Sequence, residues 1–157
     1  MEYPKYKKLI FCTDFSENAD YAFDFAYGIA KRDGGLLYIL HVIPGNPQEV
    51  FVERFISRDI VEQIHKVIEN DVSNKYTEHY VKKMGNSVPF KIVTKCGRED
   101  EEILKFAKEE KADLIVMGTH GRTGVEKAFF GSVAEKVLRR SPVPVFVVPC
   151  KKRLEGF

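Results

Sequence analysis

Apolar residues fall along the chain in two alternating kinds of segment. Short runs that are apolar at nearly every position, Tyr6 to Cys12, Leu36 to Ile43, Pro89 to Thr94, Leu114 to Met117 and Val143 to Val148, predict strands buried on both faces. Between them apolar residues recur at spacings of three and four, the mark of helices with one buried face. Ser16 caps the first helix, whose stripe of Ala19, Ala22, Phe23, Ala26, Ile29 and Ala30 stops at Gly34-Gly35. A long helical tract runs from Gln48 to Met84, with Ile60, Ile64, Val67, Ile68, Val72, Tyr76 and Tyr80 as its inward stripe. The first part of that tract follows the breaker Pro44-Gly45-Asn46-Pro47, so residues 45–57 are set apart as a lid or insertion. Asp100 to Glu110 and Ser132 to Arg140 complete the helices. The alternation predicts an α/β fold: one doubly wound domain over residues 1–157, a parallel sheet with helices on both faces.

Composition narrows the classes of function. With 157 residues, 44% apolar and 31% charged, the chain builds an ordinary core and is not disordered. Lys and Arg number 25 against 23 Asp and Glu, a net charge of +2 that is too balanced for binding a nucleic-acid backbone. No apolar run approaches the ~20 residues of a membrane span. Only Leu9 to Cys12 is apolar near the start, where a secretory signal needs a longer core, so a cytoplasmic protein is expected. Cys12, Cys96 and Cys150 are widely spaced and form no CxxC, which fits reduced thiols better than a zinc site.

In open parallel sheets, ligands bind beyond the carboxyl ends of the strands, where the connection order reverses. Three turns therefore matter: Cys12-Thr13-Asp14, His41-Val42-Ile43, and the stretch from Met117 to Gly124 that runs on to Gly131-Ser132. In the last, Gly118, Gly121 and Gly124 recur every third residue, and Gly131 directly precedes a helix that opens with Ser132. Glycine lets the backbone approach a ligand and turn its N–H groups inward. The bare amides and the dipole of the helix start favour an anion, phosphate being the usual one, and Arg122 adds charge at the rim. Any one glycine could serve a tight loop with Ser132 as a plain N-cap, but together, on a strand-loop-helix unit, they favour an anion site. The spacing is neither GxxxxGK[ST] nor GxGxxG, which disfavours a P-loop NTPase or a dinucleotide enzyme. Asp14 can close an Asx turn or serve a ligand. The acids Glu99 to Glu102 open a helix and are assigned to its dipole rather than to chemistry. His41 reads as a satisfied core histidine and His120 as an exposed loop histidine; no nucleophile or second acid at recognisable spacing makes either catalytic.

The segment Gly118-x2-Gly121-x9-Gly131-Ser132 resembles the nucleotide-binding signature of the universal stress protein family. The stretch from Val116 to Pro149, the turn Thr13-Asp14-Phe15-Ser16 and the strand end His41-Val42 are similar to that family as well, so the resemblance covers nearly the whole chain. It implies an open five-stranded sheet in the order 3-2-1-4-5, Rossmann-like and of the adenine nucleotide alpha hydrolase type, and membership of the ATP-binding branch. Gly118, Gly121, Gly131 and Ser132 would then hold ribose and phosphates, with Val133 continuing the contacts of the helix start. The backbone of Val42 would meet the adenine edge, Thr13 and Met117 would line the pocket, and Asp14 would sit near the ribose or a phosphate-bound Mg²⁺ or Mn²⁺. Cys12 stands where relatives often carry proline. The resemblance also implies a homodimer through residues 143–148. The expected function is a nucleotide-dependent sensor or switch in stress response, read by a protein partner. Little hydrolysis is expected, since no Walker lysine or water-positioning residue beyond Asp14 is evident. The alternatives are a slow ATPase or nucleotidyl or phosphoryl transferase, and an interaction protein that has lost its ligand.

Overall fold

The structure is a computed structural model that describes residues 3–45, 57–120 and 131–151. The strands are β1 (Lys8–Cys12), β2 (Leu36–Pro44), β3 (Phe90–Gly97), β4 (Leu114–Gly118) and β5 (Val145–Val148). The helices are α1 (Glu17–Asp33), α2 (Arg58–Tyr76), α3 (Glu99–Glu110) and α4 (Ser132–Arg140). Beyond Tyr76, α2 widens into a π-helical turn, Thr77–Val81, and closes as Lys82–Met84. All strand pairs are parallel, and the sheet runs β3-β2-β1-β4-β5.

The period of two in each strand sorts the core into two layers. Leu9, Phe11, Leu37, Ile39, Leu114 and Val116 pack with α1 and the end of α2 on one face. Ile10, Cys12, Tyr38, Leu40, Ile115 and Met117 pack with α3 and α4 on the other. This is why the central strands read as unbroken apolar runs: each position belongs to one layer or the other.

Helix α1 begins at Ser16, whose side chain accepts from the Ala19 N–H at 3.2 Å, and ends at Gly34 with φ 61°, a left-handed cap that suits glycine. Its last residue, Asp33, accepts the Tyr6 N–H at 3.0 Å, while Asp113 accepts the N–H groups of Lys7 and Lys8 at 2.7 and 2.9 Å. Side chains thus hold the chain entering the sheet, and β1 starts at Lys8 rather than Tyr6. β3 runs three residues past Thr94, paired to β2 as far as Pro44↔Gly97. β5 starts at Val145, two residues later than the apolar run suggests. The inward stripe of α2 is real only from Val72 onward. Val72, Tyr76 and Tyr80 are buried, whereas Ile60, Ile64, Val67 and Ile68 are 39–67% exposed. Of the segment 45–57, residues 46–56 lie outside the described residues.

Candidate nucleotide site

β1 lies between β2 and β4, and the chain leaves it in opposite directions on the two sides, which opens a crevice beyond its carboxyl end. Three segments meet there: the turn after β1, the end of β2, and the loop from β4 to α4.

The turn after β1 is held from inside. The Thr13 N–H donates to Leu40 O at 2.9 Å, and the Thr13 carbonyl accepts from His41 Nδ1–H at 2.8 Å. Its hydroxyl accepts the Phe15 N–H at 2.9 Å and bonds the Tyr80 hydroxyl at 2.5 Å. Thr13, expected to line a pocket, is therefore satisfied inward and shapes the turn. Asp14 Oδ1 accepts the Ser16 N–H at 3.1 Å, the Asx-turn option for this residue. Phe15 takes φ 61°, rare for an aromatic residue, with its ring among His41, Tyr76, His79 and Tyr80. His41 is the satisfied histidine expected, since its backbone N–H also donates to the Tyr76 hydroxyl oxygen at 3.1 Å.

The parity of β2 decides which way Val42 points. Leu40 offers its carbonyl to Thr13, on the β1 side, and Leu37 donates to Pro89 on the β3 side. Val42, two residues beyond Leu40, turns its N–H and C=O toward the β1 side as well. The β1 pairing ends at Cys12↔Leu40, so these groups face the crevice.

On the far side, Gly118 closes β4 directly against α1. A Cβ there would lie 2.5 Å from Asn18 Nδ2 and 3.0 Å from Asn18 Cγ. Asn18 Nδ2 donates to the His120 carbonyl at 3.0 Å, and Asn18 Oδ1 is buried without a partner among the described residues. Thr119 joins the two ends of the loop: its N–H donates to Val148 O at 2.9 Å and its carbonyl accepts the Gly131 N–H at 2.6 Å. A Cβ at Gly131 would stand 3.1 Å from that same carbonyl. Gly131, not Ser132, is the N-cap of α4, and Ser132 is its exposed first residue. The first intrahelical bond is Glu135 N–H to Gly131 O at 3.0 Å, so the amides of Ser132, Val133 and Ala134 precede the ladder. Met117 is buried in the α3–α4 layer. Gly121, Arg122 and Gly124 lie outside the described residues.

The acids that open α3 divide into two roles. Asp100 is 4% exposed and accepts from Arg140 Nη1 at 3.0 Å, stapling α3 to α4 as a structural carboxylate. Glu99 shares the field of Asp14: burial first, then the Asp14 and Asp100 carboxylates push its pKa up, and Lys136 partly offsets them. Sequence reasoning gave Glu99 no chemistry; only the fold brings its helix start to the turn after β1. It passed over Asn18 and Asp20 and gave His79 and Tyr80 no part in the site, because their partners are distant in sequence. Among the described residues no cluster of three metal-ligating side chains occurs, and no helix is long and apolar enough to cross a membrane.

Residues 5–149 match the universal stress protein family. A universal stress protein of Methanocaldococcus jannaschii is 35% identical over 158 residues, covering 93% of this chain and 96% of its own. A solved structure of that protein superposes with a TM-score of 0.75 at 30% identity, covering 94% and 99% of the two chains. A universal stress protein from Archaeoglobus fulgidus in complex with dAMP shares the fold with a TM-score of 0.57 at 22% identity, covering 92% and 99%.

Proposed function

Because the chain belongs to the universal stress protein family, we propose that it is an ATP-binding member in which nucleotide occupancy of the β1–β4 crevice switches a surface read by a protein partner. The observation that carries this is the convergence, at one crevice, of the outward-facing backbone of Val42, the Asp14 turn and the α4 amides next to Gly131. A strand end with a free-facing N–H and C=O is suited to an adenine edge. Amides at a helix start, beside a residue with no side chain, are suited to phosphate.

In this proposal Val42 reads the base, while Gly118, Gly121, Gly131 and Ser132 hold ribose and phosphates and Val133 extends the helix-start contacts. Met117 and Thr13 shape the floor and Arg122 guards the rim. Asp14, with Glu99 beside it, offers hard oxygen donors that suit Mg²⁺ or Mn²⁺ carried on the phosphates. Such an ion would neutralise phosphate charge. The protein is proposed to bind rather than turn over ATP, to work in the cytoplasm, and to pair as a homodimer along β5. For the last, β5 is a sheet edge, and Tyr21, Phe25 and Phe146 stand in a row beside it with ring centroids 5.3 and 5.8 Å apart.

The test of the site is Gly131→Val. The added side chain enters the gap to the Thr119 carbonyl, and calorimetry is expected to show at least about a tenfold loss of ATP affinity with unfolding still cooperative. Unchanged affinity in that variant contradicts the assignment, and phosphate release that persists on purification and vanishes in Asp14→Ala favours the ATPase alternative.

A further inference from the structure

The turn after β1 is held by an element far from it in sequence. The π-helical turn Thr77–Val81 carries two consecutive side chains into it, His79 and Tyr80. His79 Nδ1–H reaches both carboxylate oxygens of Asp20, on the first turns of α1, at 2.8 Å. The Tyr80 hydroxyl is buried and bonds Thr13 Oγ1 at 2.5 Å, in the field of the Asp20 carboxylate. The Phe15 N–H donates to Thr13 Oγ1, and that same oxygen shares a hydrogen bond with Tyr80 Oη, so a chain of two bonds runs from the buried phenol to the Phe15 backbone. Burial raises the Tyr80 phenol far above its ordinary range, so it stays protonated.

The Tyr80 ring packs with equal specificity. It lies 4.7 Å from Phe23, 5.3 Å from Phe11 and 6.1 Å from Phe15, the residue at positive φ. An aromatic side chain keeps that backbone only where its surroundings over-determine it. Here the hydrogen-bond chain fixes the Phe15 N–H and the ring cluster fixes its side chain. Asp14 lies between Thr13 and Phe15, so its direction depends on both. π-helical turns occur frequently at functional positions.

We propose that Tyr80 is a positioning residue of the nucleotide site: acting through the Thr13 hydroxyl, it locks the left-handed turn at Phe15 that presents Asp14 to the crevice. His79, bonded to Asp20, rests its ring beside those of Phe15 and Tyr80 and steadies the same cluster. The inference rests on the crevice being a nucleotide site, and the experiment separates the two.

ATP affinity is measured by calorimetry for the wild type, Tyr80→Phe, Thr13→Val and the double variant, with amide exchange at Phe15 followed by NMR. Tyr80→Phe keeps the ring and removes only the hydroxyl. It is expected to weaken ATP about five- to tenfold, the size of one lost hydrogen bond, and to speed exchange at the Phe15 N–H. Because Tyr80 acts through Thr13, the double variant is expected to be no weaker than Thr13→Val alone, whereas a purely structural loss would add. Should Tyr80→Phe fail to fold, Thr13→Val carries the test, since it removes the hydroxyl through which Tyr80 acts, with the same loss of about five- to tenfold expected. Wild-type affinity in the variant that is read, or strictly additive losses, overturns the role of Tyr80 while leaving the nucleotide site standing. A wild type that binds no ATP overturns both.

Discussion

Gly118 is small because Asn18 is there. The 2.5 Å separation between a Cβ at Gly118 and Asn18 Nδ2 means that even one methyl group would push α1 from β4 or break the Asn18 bond to His120. The glycine of the loop motif thus has a packing reason that holds whether or not a ligand is bound, and the same is true of Gly131 against Thr119. Gly118→Ala is expected to destabilise the protein by about 1–3 kcal/mol, the usual cost of overpacking. In a chain of this length that lowers Tm by roughly 3–10 °C. Asn18→Ser, which shortens the facing side chain, should restore part of the loss in the double variant. Thermal unfolding checks both, and a wild-type Tm for Gly118→Ala contradicts the packing argument. Cys12 shows a residue the sequence placed well but described incompletely. Its thiol is buried at the end of β1 with its pKa pushed up to about 12 by desolvation, so it packs as a small apolar residue.

At the scale of elements, the strands and helices of the sheet's centre follow directly from apolar patterning, because residues buried on both faces leave continuous runs. The edges do not follow. β3 is partly exposed, and its Lys91, Thr94 and Lys95 hid its length, which is set by pairing to β2. The first half of α2 shows a helical apolar stripe that no layer covers among the described residues, so period alone misassigned Ile60 to Ile68 to the core. The π turn leaves no signature in sequence. Asp33 is an element-scale clamp, joining the end of α1 to the residues entering β1. The Arg32 guanidinium first, and the Tyr6 N–H second, hold its carboxyl near pKa 2, below the value of about 3.9 in an unfolded chain. A depressed carboxyl stabilises above its unfolded value, and that contribution is lost as pH falls from about 4 to about 2. Asp33→Asn is expected to lower stability by about 1 kcal/mol at neutral pH and to flatten the loss between pH 4 and 2. Urea unfolding across that window decides it, and parallel pH profiles for the two proteins contradict the clamp.

At the scale of the molecule, the parallel α/β fold was legible from the alternation of runs, and the strand order from the resemblance carried by Gly118, Gly131, Ser132, Asp14 and Val42. What sequence could not reveal is how distant parts converge: Tyr80 on Thr13, Glu99 on Asp14, Asn18 on Gly118 are pairings that exist only once the sheet is built. The edge strand β5 and the aromatic row of Tyr21, Phe25 and Phe146 predict a dimer of about twice the 18.0 kDa chain. Phe146, 40% exposed on β5, is the residue to change. Light scattering at micromolar concentration is expected to give a dimer for the wild type and a monomer for Phe146→Glu, and a monomeric wild type contradicts the edge pairing. The most direct measurement of the central claim is a calorimetric titration of ATP with Mg²⁺ into protein that has been unfolded, freed of carried ligand and refolded. One ATP per chain at micromolar Kd or tighter is the predicted result. Absence of heat, together with an unshifted Tm in ATP, would contradict nucleotide binding at the crevice.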